Sequence, residues 1–314
     1  MIGVVSLLSS CGLLPDDSAS EGLSGYDPAI IETSLAYQGL ERDVLLYVPF
    51  PLPENGVPLV IMLHSEGSTP EGVMWKTTEG RWNEIAFREK LVVAYPRGYG
   101  GYWNDCLISP GGHYSEQDDV GFILELISWL SEQYPIDTDR VFAAGHSNGG
   151  MMALRLAQEA PRSFAGVFAN NALLPVESEC TVPTDKIPLM LLVGTADPIM
   201  PYSGGQPGLE GSASNPVMSA TATVDTWLRY LGLPDEVRVT ELPDRVDDDH
   251  STVSRMIYAD GETSLWFYRV NDGGHAWPGK EPFSRLEQQT NGYKNQDIQA
   301  ADEAWKFFQQ SIGK

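Results

Sequence analysis

Gly145-His146-Ser147-Asn148-Gly149 places one hydroxyl inside a glycine-flanked pentapeptide, directly after the strand-like Val141-Phe-Ala-Ala144 and directly before the helical run Gly150 to Ala157. A pentapeptide of this kind is common in isolation; its strand-turn-helix setting is what points to chemistry. A nucleophile on so tight a turn needs small neighbours, and it gains the N–H groups of the helix it opens, which can hold an oxyanion. A serine hydroxyl attacks poorly until a base removes its proton, so a histidine oriented by a carboxylate must come within reach. His275 lies in the glycine-rich Asn271-Asp-Gly-Gly-His-Ala-Trp-Pro-Gly279, immediately after the apolar Leu265 to Val270. It is the predicted base. Among the aspartates between Ser147 and His275, Asp197 alone follows a fully apolar run, Pro188-Leu-Met-Leu-Leu-Val193, through the short turn Gly194-Thr-Ala. It is the predicted orienting acid.

The other histidines have other readings. His64 ends a strand-like run and is expected to shape the oxyanion loop or meet substrate; His146 reads as a packing residue, and His113 and His250 lie in polar loops. The backbone N–H of Asn148 is one predicted oxyanion donor. The second should come from His64-Ser-Glu-Gly67, which places the N–H of Glu66 there, although Glu66 reads equally well as an exposed loop acid. Asp118 and Asp119 read as the cap and first-turn charge of the helix that follows them. Asp247-Asp248-Asp249 reads as a solvated loop, with cation binding as the alternative.

Positioning such residues requires a scaffold, and the chain supplies one. Apolar, β-branched runs recur at Asp43 to Val48, Pro58 to Leu63, Leu91 to Tyr95, Arg140 to Ala144, Ala165 to Ala169, Pro188 to Val193 and Ser264 to Val270. Segments of helical period lie between them, clearest at Asp119 to Gln133, Asn148 to Ala160, Ser219 to Tyr230 and Ile298 to Ser311. Strands alternating with helices predict an α/β fold, a mostly parallel sheet covered on both faces.

With 314 residues, 42% of them hydrophobic, the chain can bury a large core. Against 20 Lys and Arg stand 43 Asp and Glu, a formal charge of −23, which opposes electrostatic binding to nucleic acid or an anionic membrane. Such acidity serves solubility or suits a salty habitat. The run from Met1 to Cys11 is apolar and too short to span a bilayer; small residues before a cysteine suggest an export signal with Cys11 lipidated, although a positive n-region is missing. Residues 12–28 read as a flexible tether and 29–314 as one catalytic domain. The expected location is therefore secreted, periplasmic or cell-surface, with any membrane attachment through that lipid. Cys106 and Cys180 stand as a disulfide pair or as two buried thiols.

Taken together, Leu63-His64, Tyr95-Pro-Arg-Gly98, Trp103-Asn-Asp105, Asp118-Asp-Val-Gly-Phe122, Asp139-Arg-Val141, Gly145-His-Ser-Asn-Gly-Gly-Met-Met152, Gly194-Thr-Ala-Asp-Pro198, Pro201-Tyr202, Gly273-Gly-His-Ala-Trp-Pro-Gly279 and Trp305-Lys-Phe-Phe308 resemble a known family. It comprises the polyhydroxybutyrate depolymerase-like and feruloyl esterase-like secreted α/β-hydrolases, acetyl xylan esterases included, and the likeness covers most of residues 36 to 312. The resemblance implies Ser147, Asp197 and His275 as the triad, which spacing had already selected. Two positions depart from the pattern: Ser65 where the family usually has glycine, and Arg97 where an acid is frequent. Trp103 and Trp277, beside the family motifs, are read as stacking on an aromatic acyl group or sugar, or else as pinning loops.

The expected activity is hydrolysis of a carboxylic ester through an acyl-enzyme by a monomer, of the feruloyl esterase or polyester depolymerase type, with no metal or organic cofactor. Cleavage of another acyl bond, as in a peptidase, is the alternative within the same machinery. A surface binding protein on an inherited hydrolase fold is the alternative from another class, opposed by three intact triad positions.

Overall fold

The computed structural model describes residues 29–107, 116–208 and 214–312. The apolar run to Cys11, the tether over 12–28 and His113 lie outside the described residues. Ten strands form one sheet: β1 (Ala29–Tyr37), β2 (Leu40–Val48), β3 (Val57–Leu63), β4 (Val92–Pro96), β5 (Ile136–His146), β6 (Gly166–Asn170), β7 (Leu189–Gly194), β8 (Arg238–Glu241), β9 (Thr252–Ala259) and β10 (Ser264–Asn271). Their spatial order is β1-β2-β4-β3-β5-β6-β7-β10-β9-β8. The six from β4 to β10 pair parallel, and the antiparallel β1, β2 and β9, β8 extend the two sides.

Strand β3 shows why both faces are covered. All seven of its residues are buried, and alternate side chains enter different cores. Leu59, Ile61 and Leu63 pack with Phe122 and Leu126 of α2 (Asp119–Gln133), Met152 and Leu156 of α3 (Asn148–Glu159) and Trp227 of α4 (Ala220–Leu231). Val60 and Met62 pack on the other face, with Trp82 of α1 (Arg81–Glu89) and Trp305 and Phe308 of α6 (Ala300–Ser311). There the rings of Phe142 and Phe308 stack with centroids 4.4 Å apart.

Every strand expected from an apolar run is present, as are the four helices expected from period. The capping reading holds for Asp118, whose carboxylate accepts from Gly121 N. Asp119 is the acid of the first turn, as expected, and it is also fully buried and bonded to the Arg42 guanidinium at 2.8 Å and to Asn104 N. The solvated-loop reading fails for Asp249. This side chain is buried and ties the loop to the segment before α6, accepting from Ser251 N, Ser251 Oγ and Gln296 N.

Candidate active site

The parallel strands end on one side of the sheet, where this class of fold carries its sites. Ser147 sits between β5 and α3 with φ 56° and ψ −122°, a left-handed conformation that a side chain adopts only under constraint. The constraint is visible: Ser147 N donates to Asn170 O at 2.9 Å, and Ser147 O accepts from Met151 N. Glycine is required on either side for room. A Cβ at Gly145 would collide with the main chain of Gly149, and one at Gly149 with the carbonyls of Leu63 and His64. The elbow can be this sharp only because both positions lack a side chain.

Asp197 follows β7, as expected, and its two oxygens do different things. Oδ1 accepts from Ile199 N and Met200 N, both at 2.7 Å, which fixes the plane of the carboxylate. Oδ2 lies 2.7 Å from His275 Nδ1, inside a pair shielded from water. His275 is held at its own main chain, since His275 N donates to Asn291 O and Gly274 N to Tyr293 O. Anchored this way, the imidazole keeps Nδ1 on Asp197 and leaves Nε2 for a proton in transit. Ser147 and His275 line one cleft of about 540 Å³.

His146 packs beside the base, with ring centroids 5.0 Å apart. Burial, with the His275 ring as a lesser cause, holds His146 far below the usual histidine range. It is therefore neutral and accepts at Nδ1 from Asn170 Nδ2 at 2.8 Å. A charge here would oppose the imidazolium that forms on His275.

The first N–H groups of α3 have no partner within their helix, so Asn148 presents one toward the cleft it lines. Glu66 also lines the cleft, from a turn closed by Ser68 N on Ser65 O at 3.0 Å and held by Gly67 N on Gly101 O at 2.9 Å. Its side chain is exposed, yet partial desolvation by the cleft walls raises its carboxyl above the ordinary range.

Three expectations about substrate contact are corrected by burial. Trp103 is 1% exposed and Trp277 3%, and neither lines the cleft, so neither can stack on a ligand there. Trp103 is a brace. Its indole N–H donates to His64 O, and its main chain is clamped by the Asn148 carboxamide, which accepts from Trp103 N at 2.9 Å and donates to Trp103 O at 3.0 Å. One residue thus ties the β3 loop to the elbow. Trp277 packs edge-on against Phe168 and His146 under the base.

His64 is fully buried, so it shapes the loop and does not touch substrate. Its Nε2 accepts from Gly98 N at 2.9 Å and its Nδ1–H donates to Ser65 O at 2.8 Å, which together demand the neutral ring. Burial lowers its pKa to about 4. The unfolded chain therefore binds a proton at His64 near pH 6.5 that the folded chain refuses until about pH 4, and stability is lost as pH falls through that window. The full loss from this one ring is ~3 kcal/mol. Denaturant midpoints taken at pH 7 and pH 4 should fall less for His64→Gln, whose amide oxygen can still accept from Gly98, than for the parent. Equal falls would show that His64 carries none of the acid sensitivity.

Of the two departures from the family pattern, Ser65 lines the cleft and Arg97 does not; the Arg97 guanidinium lies 3.6 Å from Asp43 at the surface. Wall residues to which the sequence assigns no role include Asp105, Leu107, Met151, Met200 and Phe283. Met151 was within reach of helical spacing, four residues after Ser147. Phe283, just past the Gly273 to Gly279 motif, carried no signal of its own. Cys106 and Cys180 are joined, with Cα atoms 5.6 Å apart, which settles the pair as a disulfide.

Residues 117–211 match the family model described as phospholipase/carboxylesterase. The chain is 32% identical over 236 residues to the putative esterase NocK of Nocardia uniformis subsp. tsuyamanensis, covering 73% of this chain and 67% of that protein. It is 30% identical over 176 residues to the bifunctional acetylxylan esterase/xylanase XynS20E of Neocallimastix patriciarum, covering 52% of this chain and only 23% of that protein. Among solved structures, an acetyl xylan esterase from Aspergillus awamori superposes with a TM-score of 0.57 at 15% identity, over 85% of this chain and 94% of that one, a likeness of fold. Motifs, sheet order and relatives agree, and the chain belongs to the α/β-hydrolase family of esterases that includes the polyhydroxybutyrate depolymerase-like and feruloyl esterase-like proteins.

Proposed function

We propose that the protein hydrolyses carboxylic esters through an acyl-enzyme on Ser147. The observation that carries this reading is the 2.7 Å bond from Asp197 to His275 Nδ1, in a cleft that the His275 ring shares with the strained Ser147 elbow. Ser147 Oγ adds to the ester carbonyl while His275 Nε2 takes its proton. The tetrahedral oxyanion is held by the N–H groups of Asn148 and Glu66. Collapse expels the alcohol, which receives the proton from His275, and leaves Ser147 acylated. Water then repeats the sequence, giving up its proton to His275, and Ser147 is released with the free acid.

Leu107, Met151, Ile199, Met200 and Phe283 make part of the cleft wall apolar, and the volume lies in the usual range for a small organic group. A short acyl or phenolic acyl group fits it, on a polysaccharide or polyester or in a small soluble ester. Hydrolysis of p-nitrophenyl butyrate against the matching p-nitroanilide tests the bond type. Ester turnover with a burst of p-nitrophenol and no anilide cleavage is expected; cleavage of the anilide at a comparable rate would make the protein an amide hydrolase. Methyl ferulate, acetylated xylan and polyhydroxybutyrate, compared side by side, rank the natural esters.

A further inference from the structure

Resting on that esterase reading, we infer that the cleft selects substrates by charge, accepting neutral and cationic esters and rejecting those with an anionic group beside the scissile bond, with Glu66 as a determinant of that choice. Two carboxylates line the cleft, Glu66 and Asp105, and among the described residues no lysine or arginine does.

Three cations outside the walls have partners of their own. Lys294, whose ammonium lies 5.5 Å from the Phe283 ring, is buried and paired with Glu79. Arg155 bonds Glu159 and Asn104 O, and Arg42 bonds Asp119 and Arg97 O. An anionic substituent entering the cleft therefore meets the Glu66 and Asp105 carboxylates and, among the described residues, no lysine or arginine on the walls.

Asp105 cannot swing away to relieve this. Its carboxylate accepts from Asn148 Nδ2 at 2.6 Å and from Leu107 N at 3.0 Å, so its charge is fixed next to the elbow. Glu66 lines the same cleft from the loop after β3, where the walls make its ionised form harder to hydrate. The protein's overall charge of −23 lowers the local concentration of anions before they arrive.

The test uses a matched pair of acetyl esters, 3-acetoxybenzoate and 3-acetoxybenzamide, which differ by one charge at nearly constant shape. Each kcat/KM is measured at pH 8 and divided by the rate of the same ester with hydroxide. At low ionic strength the benzamide ester should be favoured about tenfold or more, the effect of like charges interacting through partly screened surroundings. Raising salt to about 0.5 M should shrink the ratio, and Glu66→Gln should shrink it at low salt, whatever the variant does to the absolute rate. A ratio near one at low salt overturns the inference and leaves the esterase reading intact. A large ratio that neither salt nor Glu66→Gln alters overturns it too, because the discrimination is then steric. Failure to turn over either ester overturns the esterase reading itself.

Discussion

Ser147→Ala should lower kcat/KM by about 10⁴ to 10⁶-fold, the loss expected when the nucleophile of a triad is removed and only the oxyanion site and binding remain. The variant should stay folded. Alanine inherits the same left-handed backbone at φ 56°, and the missing oxygen belongs to the cleft wall, where water replaces it. Unfolding by heat or denaturant should therefore coincide with that of the parent. A fluorophosphonate probe should add one adduct to the parent, on the peptide containing Ser147, and none to the variant. Retention of more than about a hundredth of the parent rate, far above the usual residue after loss of a triad nucleophile, would remove Ser147 from the mechanism.

Asp197→Asn should cost about 10⁴-fold for a different reason. Two backbone N–H groups, from Ile199 and Met200, point at Oδ1 and require an acceptor there. An asparagine must therefore place its carbonyl oxygen at Oδ1 and its amide nitrogen at the Oδ2 position, facing His275 Nδ1. That nitrogen is a donor, so the imidazole must present Nδ1 as acceptor and carry its proton on Nε2. The ring is then in the wrong tautomer to receive a proton from Ser147. The loss should fall on kcat rather than KM, since Asp197 faces away from substrate. Asp272→Asn, on an exposed position in the same loop as the base, should leave the rate within a few-fold. Wild-type behaviour of Asp197→Asn would mean that another acid orients His275.

The triad was legible because each member follows an apolar strand at a turn, a pattern that sequence carries locally. The parallel strands were legible for the same reason, being buried on both faces. Strand β1, Ala29–Tyr37, was missed because it pairs antiparallel at the sheet edge, where burial alternates with exposed polar residues such as Glu32. Strand β9 was missed likewise, its apolar residues being interrupted by Ser254 and Arg255. Helix α5 (Arg285–Asn291) buries no residue and so shows no apolar stripe, although its capping box at Ser284 and Glu287 was readable.

Local signals also misled. Trp103 and Trp277 sit in the right motifs for ligand contact, and only tertiary packing reveals that they face inward. Asp119 was legible as the first-turn acid it is, but not as a buried ion-pair member, because its partner, Arg42, lies 77 residues away in sequence. The cleft wall was the least legible part. Thr77 comes from a segment far in the chain from Phe283 and Asn291, and no spacing rule joins them.

The disulfide has a consequence for biosynthesis. Cys106 stands between two wall residues, Asp105 and Leu107, and its partner lies 74 positions later, so the covalent ring encloses α2, β5, the elbow, α3 and β6. None of the groups that make or break bonds is part of the bridge. A polypeptide matured where glutathione keeps thiols reduced would assemble its nucleophile and base but hold the wall at Asp105 and Leu107 by hydrogen bonds alone, without the covalent tie to Cys180. The redox potential of the compartment in which the chain folds thus sets the shape of the binding surface independently of the chemistry, and host strains for recombinant production differ in that variable.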